Sequence, residues 1–325
     1  MADSKVLDNL FQDGVLVDLS IGFWSARKRN DEADLGLDPG DIPEYVIGLG
    51  TKRLIPREYT DDWTSISSRA RGAVKRYSFQ FPLGGAAFVP LQALTTAEDR
   101  LTALKAEFTE STGSFLKDFD GIKATFLRSL SKADRKRIEP EIPPADVVKG
   151  KFYFTWSTYV VALPKKLRII AADAKARAAQ EKMQQDAALR IQRELTVNVE
   201  AFIERAVRTL HTKVAASLDA IAVRVREGHA VTDRSLDVVR RAVEQFRSLN
   251  IFGNTRLNQQ LSELEKELLE GVDAAAYEDD ENLGRRLGRQ CAAIAQAALS
   301  VSDINAVTGQ YNRRILLKKD DAPAA

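Results

Sequence analysis

The residues able to do chemistry are few, and their spacing limits what they can do. In "YVIGLGTKRLIP", residues 45–56, two glycines, a threonine and a lysine follow an apolar run. Those residue types hold phosphate when a glycine-rich turn leads straight into a helix whose free amides face the anion. Such a loop needs G-x-x-x-x-G-K-[ST]. Here Thr51 separates Gly50 from Lys52, no glycine stands five positions before Gly50, and Pro56 falls where the second helical turn should be. The stretch therefore predicts a strand ending in a glycine turn, with Lys52 and Arg53 solvated and no nucleotide bound.

The metal-binding and nucleophilic types are scattered. Zinc needs three or four ligands, and the chain holds one cysteine and two histidines, far apart. His211 follows Leu210 in a helical pattern, with no carboxylate or histidine at ligand spacing on the same face, and His229 sits in the turn "EGHAVT". Cys291, in "RQCAAIAQAAL", has an apolar helical setting and no base beside it, which predicts a small core residue rather than a nucleophile. The loop carrying Asp31, Glu32, Asp34, Asp38 and Asp41 does not match the register of a calcium loop. No G-x-S-x-G elbow occurs, and no local pair of carboxylates points to hydrolysis. The sequence predicts a non-enzymatic chain with no catalytic residue, no metal site and no cofactor.

Three basic clusters remain: Arg27, Lys28 and Arg29; Lys132, Arg135, Lys136 and Arg137; and Arg313, Arg314, Lys318 and Lys319. Aromatics do not interleave with them as in single-strand binding grooves, so each reads as a solvated face. The 48 basic and 46 acidic residues leave a net charge of +2, which gives no general attraction to nucleic acid or anionic membrane. If the clusters converged in space, Arg27, Lys28, Arg29, Lys136 and Arg137 would be the contacts to a phosphate backbone. Binding there would weaken steeply with salt.

The elements that must position these residues follow from periodicity. The 325-residue chain is 44% hydrophobic and 29% charged, enough for a substantial core. Residues 1–164 predict a mixed α/β region, with strands near 14–24, 45–50, 77–81 and 151–162 and helices near 60–76 and 96–130. Val15, Val17, Leu19 and Ile21 would share one strand face, and Thr60 would cap the first of those helices. Leu101, Leu104, Phe108, Phe115, Phe119 and Ile122 recur at helical multiples, interrupted by Gly113 and Gly121.

Residues 165–325 predict a long-helix bundle, because glycine is absent from Lys165 to Glu227 and proline from Lys165 to Asp321. An apolar stripe runs through Ile191, Leu195, Val199, Phe202, Ala206, Leu210, Val214 and Leu218. Its steps are mostly four, above the period of a regular left-handed coiled coil. The predicted fold is mainly α: a long antiparallel helical bundle or coiled-coil-like hairpin with a small β-containing N-terminal part (α+β). Ile191, Leu195, Phe202, Leu210 and Leu218 are the candidates for packing against a protein partner or a second copy. The same residues would serve equally well to close an intramolecular core.

The amino terminus shows no secretory pattern and no apolar run approaches the ~20 residues of a membrane helix, so a cytoplasmic protein is expected, with membrane contact not favoured. Two alternatives stay open beside an assembly or adaptor role. One is a membrane-active helical protein, since "FYFTWSTYVVALP" between long helices resembles the tongue of helical pore-forming toxins. The other is a nucleic-acid-binding accessory protein using the basic clusters.

At "LVDLSIGFWSARKR…DLGL" (16–37), "GLGTKRLIP" (48–56) and "FQFPLGGAAFVP" (79–90), the order of features resembles a family of uncharacterised proteins of tailed phages, integrative elements and related bacterial loci. The resemblance covers mainly the chain up to about residue 165. It implies no catalytic residues. It does imply companions, namely a MoxR-type AAA+ ATPase and a protein with a von Willebrand factor A domain, which this chain would serve as adaptor or substrate.

Overall fold

Helical periodicity governs most of the chain, and helices form where apolar residues recur three and four apart. The computed structural model describes residues 4–31, 50–82, 85–161 and 174–317. The predicted strand near 45–50 apart from Gly50, the acidic loop from Glu32 onward, and Lys318 and Lys319 lie outside these residues. So do the side chains of Ile191 and Leu195, although their backbone is described. Among the described residues there are eleven α-helices and a small antiparallel sheet, so the protein is mainly α with a minor β part.

The chain forms two compact units. The first takes residues 1–17, 75–95 and 158–325, and the second takes 18–74 and 96–157. Both units are discontinuous in sequence, because single elements run from one into the other.

In the first unit, α1 (Ser4–Asp13) leads into β1 (Gly14–Gly22). The start of β1 pairs antiparallel with β5 (Ala87–Pro90), Gly14 opposite Pro90 and Val17 opposite Ala87, and β5 pairs with β4 (Phe79–Gln80). The strict alternation expected for β1 holds only in part. Leu16 and Val17 are both buried, because this stretch is covered on both faces. The helices of the unit are α6 (Ala174–Arg226), α7 (Asp233–Leu249), α8 (Thr255–Leu268), α9 (Ala274–Asp279), α10 (Glu281–Ala298) and α11 (Val301–Leu317). Leu236, Val239, Val243 and Phe246 of α7 and Leu257, Leu261, Leu264 and Leu268 of α8 recur at helical spacing and are buried. Thr232 caps α7, its hydroxyl accepting from the Ser235 amide at 3.3 Å.

The second unit is built on β2 (Arg27–Arg29), β3 (Thr51–Arg53), α2 (Glu58–Arg76), α3 (Leu91–Ser129), α4 (Lys132–Ile138), α5 (Ala145–Lys149) and β6 (Tyr153–Tyr159). Several of these begin or end in the first unit. α2 starts two residues before the predicted Thr60 cap. Its first turn is set by Pro56 and Arg57, and the Thr60 hydroxyl donates to the Arg57 carbonyl at 2.9 Å instead of capping. Trp63, Ile66 and Ala70 of α2 are buried, as are Leu104, Phe108, Phe115, Phe119 and Ile122 of α3. Large rings bridge the two helices: Trp63 meets Phe115 edge-on, with centroids 4.9 Å apart. α3 passes unbroken through Gly113 and Gly121, where an added Cβ would meet nothing.

Candidate functional site

The longest element of the first unit is α6. This helix is 53 residues long, on the order of 80 Å at about 1.5 Å per residue. Gly228 ends it with φ +81, a conformation that costs glycine no Cβ clash, and the His229 amide closes the last turn on the Arg224 carbonyl at 3.0 Å. The last 28 residues of α6, from Val199, are the spine of the first unit. They pack against α7, α10, α11, α1 and β4. Phe202 lies among Phe79, Phe81 and Phe88, with ring centroids at 6.4, 5.1 and 5.3 Å.

Three of the five residues predicted to meet a partner are therefore occupied at home. Phe202, Leu210 and Leu218 are at most 1% exposed, covered by this chain's own helices and strands. Ile191 and Leu195 belong to a different stretch. Val199 is the first buried side chain of α6 among the described residues. Before it, Arg190, Arg193, Glu194, Val197 and Asn198 are all exposed, Val197 at 62%. Ile191 and Leu195 stand four apart on this stretch, and hence on one helical face.

His211 has a role that spacing could not reveal. It is 1% exposed, with Nδ1 2.8 Å from the Ala298 carbonyl and Nε2 2.9 Å from Asn254 Nδ2. The carbonyl can only accept and the amide nitrogen can only donate, so this geometry fixes a neutral ring protonated on Nδ1. Burial lowers the His211 pKa, while the Ala298 carbonyl and Asp303 pull the other way. Asn254 Oδ1 meanwhile caps α8 by accepting from the Leu257 amide at 3.1 Å. Asn254 thus joins α6 to the start of α8, and His211 joins them to the end of α10. Its sequence signal was an N-cap asparagine before a helix, legible as a cap but not as a histidine partner. His229, by contrast, is exposed, 3.6 Å from Glu227.

Cys291 is fully buried, and burial pushes its thiol up to about 12, which suits a core residue and not a nucleophile. Nearby, Tyr277 donates to the Leu268 carbonyl. Of the third basic cluster, Arg314 ties distant parts of the chain together. Arg314 Nη2 lies 2.5 Å from Asp13 Oδ2, which also accepts from the Tyr311 hydroxyl at 2.8 Å.

The other two clusters meet in the second unit. β2 pairs with β3, Lys28 opposite Lys52. Both lysines reach Glu141 Oε1, at 3.5 and 2.8 Å. Glu141 follows α4, so this shared carboxylate holds Arg27, Lys28 and Arg29 beside the segment carrying Arg135, Lys136 and Arg137. Lys52 is correspondingly not solvated as predicted; its side chain is 11% exposed, because the hairpin lays it against Glu141. Arg53 also departs from the prediction: it is half-buried, with Nη1 buried. Acidic neighbours temper the patch, with Asp134 2.5 Å from Arg137 and Glu139 3.5 Å from Arg135. Glu141 lies in the proline-rich "EPEIPP", where local spacing gives no sign that it unites the clusters.

Among the described residues, no group of three or more His, Cys, Asp or Glu could hold a metal ion. No single helix among them is long and apolar enough to cross a membrane. A pair bent by 58°, Asn282–Ala298 with Val301–Ile315, has the length and composition, but its Leu287, Cys291, Ile294, Ile304 and Tyr311 are buried in the first unit.

These features define a mainly helical protein built on one very long helix, with a small antiparallel sheet. Over residues 11–285 the chain matches the family described as "Protein of unknown function (DUF3150)", and it belongs to that family. The match includes the segments that carried the resemblance and runs well into the helical half. No curated protein and no solved structure matches the chain.

Proposed function

We propose that this protein is a non-enzymatic, cytoplasmic assembly or adaptor protein whose docking element is the first part of α6, and that a second copy of the chain is its first partner. One observation carries the reading. Of the side chains described in α6 before Val199, those of Arg190, Arg193, Glu194, Thr196, Val197 and Asn198, none is buried, although the helix begins at Ala174. The helical backbone before Val199 spans roughly 37 Å, at about 1.5 Å per residue. Isolated helix is marginal in water, and helices are stabilised chiefly by burying an apolar face. Ile191 and Leu195 supply such a face. The phage and mobile-element setting, with a MoxR-type ATPase as a further partner, fits this role and rests on the resemblance alone.

Light scattering after size exclusion at tens of micromolar tests the proposal. The wild-type chain is expected to run as a dimer or larger, and the double variant Ile191→Glu/Leu195→Glu as a folded monomer. A wild-type monomer at that concentration would end the self-association reading. Co-purification from the native locus then tests the ATPase.

A second reading, nucleic-acid binding, has its own observation in the basic clusters that Glu141 draws together. A gel shift at low salt that fails at micromolar protein would dispose of it.

A further inference from the structure

Strand β6 (Tyr153–Tyr159) ends its sheet and pairs with β1 alone among the described residues. We propose that its other edge, over Tyr153–Ser157, is a docking site for an extended acidic segment of a partner protein. The inference stands apart from self-association through α6 and goes beyond it.

One edge and one face of this stretch are taken within the second unit. β1 runs along the edge. Tyr153 packs over Gly22, where an added Cβ would run into the ring, and the Thr155 hydroxyl donates to the Ser20 carbonyl at 3.5 Å. α3 lies against the face. Phe154 is buried, its ring centroid 5.7 Å from that of Phe108, and Lys105 stands over the Trp156 ring at 5.4 Å. Successive side chains of a strand alternate between faces, so Tyr153, Thr155 and Ser157 share the opposite one. All three are exposed, Tyr153 at 49%.

At the outer edge no strand and no further backbone hydrogen bond is found among the described residues. Such an edge presents a row of free N–H and C=O groups, a template for another extended chain. Many proteins blunt their edges by placing lysine or proline on the strand. β6, YFTWSTY, holds no charged residue and no proline. It consists of aromatic and hydroxyl residues, mostly types that favour an extended backbone.

The charge beside the edge says what kind of chain fits. Lys149 and Lys151 stand just before the strand and Lys105 beside its middle, and all three are exposed. None of them has an ion pair among the described residues, and β6 has no carboxylate of its own to offer. The two observations together select the ligand class. The edge asks for alternating backbone donors and acceptors, which an extended polypeptide supplies and a nucleic acid or a lipid surface does not. The lysines ask for negative charge, which a second copy of β6 lacks. Tyr153–Ser157 spans about 17 Å, room for a partner strand of about five residues. Main-chain bonds would supply the affinity and carboxylates the choice of partner. A segment alternating glutamate with valine sets its carboxylates on the Lys105 face. Its valines then lie on the face of Tyr153, as an aromatic and β-branched cross-strand pair.

Fluorescence polarisation, with the full chain titrated into a labelled octapeptide alternating glutamate and valine, tests this. The expected result is saturable binding, weakened about fivefold or more by Lys105→Gln/Lys151→Gln with the circular dichroism unchanged. The control Lys132→Gln/Lys136→Gln on α4, with the same change in net charge, is expected to leave binding as it was. Two further peptides carry N-methyl groups, one on every glutamate nitrogen and the other on every valine nitrogen. A strand added to an edge uses the N–H groups of alternate residues only, so one of the two is expected to bind like the parent and the other to fail. Absence of binding by the wild-type chain overturns the proposal, and so does an equal effect of the two methylations. Equal binding of a lysine–valine octapeptide, or an equal loss in the control, overturns it as well. A signal that rises and then falls as the chain is added would give the edge to a second copy and overturn it too. Binding retained in Ile191→Glu/Leu195→Glu, whatever its oligomeric state, keeps this site distinct from the α6 surface.

Discussion

The two parts of α6 share one helix, one polar–apolar rhythm and one lack of glycine and proline, yet they meet different surroundings. From Val199 to Arg226 the stripe is sealed under other helices: Phe202, Leu210 and Leu218 are at most 1% exposed. Just before it, none of the described side chains, at Arg190, Arg193, Glu194, Thr196, Val197 and Asn198, is buried, and Val197 stands 62% exposed. A stripe at helical spacing states that a helix has a face to cover. What covers it is decided by the chain packed alongside, here α7, α10 and α11 for the second part.

Mutations along α6 and its neighbours put that contrast at risk, and the largest effect belongs at Phe202. Phe202→Ala empties the space among Phe79, Phe81 and Phe88 and is expected to cost about 3–5 kcal/mol in urea unfolding. A loss under ~1 kcal/mol would mean this half of the helix is not the spine of its unit. Gly288→Ala comes next. A Cβ there would stand 2.8 Å from Val225 Cγ1, so α10 lies close against α6. Overpacking is expected to cost about 1–3 kcal/mol, against the gain of up to ~1 kcal/mol that Ala gives an exposed helix site. A stabilised variant would show that α10 can move away.

A smaller and pH-dependent effect belongs to His211. Its folded pKa is depressed below the ordinary 6.5, so the unfolded chain takes up the proton first. The contribution is fully present above about 6.5 and is lost as pH falls through the window from 6.5 down to the depressed folded value. His211→Gln should flatten that part of a melting-temperature profile. An unchanged slope would place the titration elsewhere. The smallest effect is expected at Leu195→Ala. In dilute solution it should shift stability by no more than ~0.5 kcal/mol while weakening self-association. A cost like that of Phe202→Ala would erase the distinction between the two parts of α6.

The same contrast shows which parts of the candidate sites were legible. The inward faces of α2, α3, α7 and α8 follow from spacing, since a side chain's direction on a helix is a local property. So do the Thr232 cap, the Gly228 stop and the inert Cys291. The Glu141 link was not legible, because it joins Lys28, Lys52 and a glutamate far along the chain. The pairing of His211 with Asn254 is equally non-local.

By itself the sequence determined that this is a mainly helical protein with one exceptionally long helix and a small β part, because periodicity, caps and breakers act within a few residues. Only the tertiary structure decided what covers that helix from Val199 onward, that two basic clusters share one carboxylate, and that carboxylates of α2 and α3 line one groove. Those outcomes depend on contacts between distant segments, and local spacing carries no record of which segment arrives.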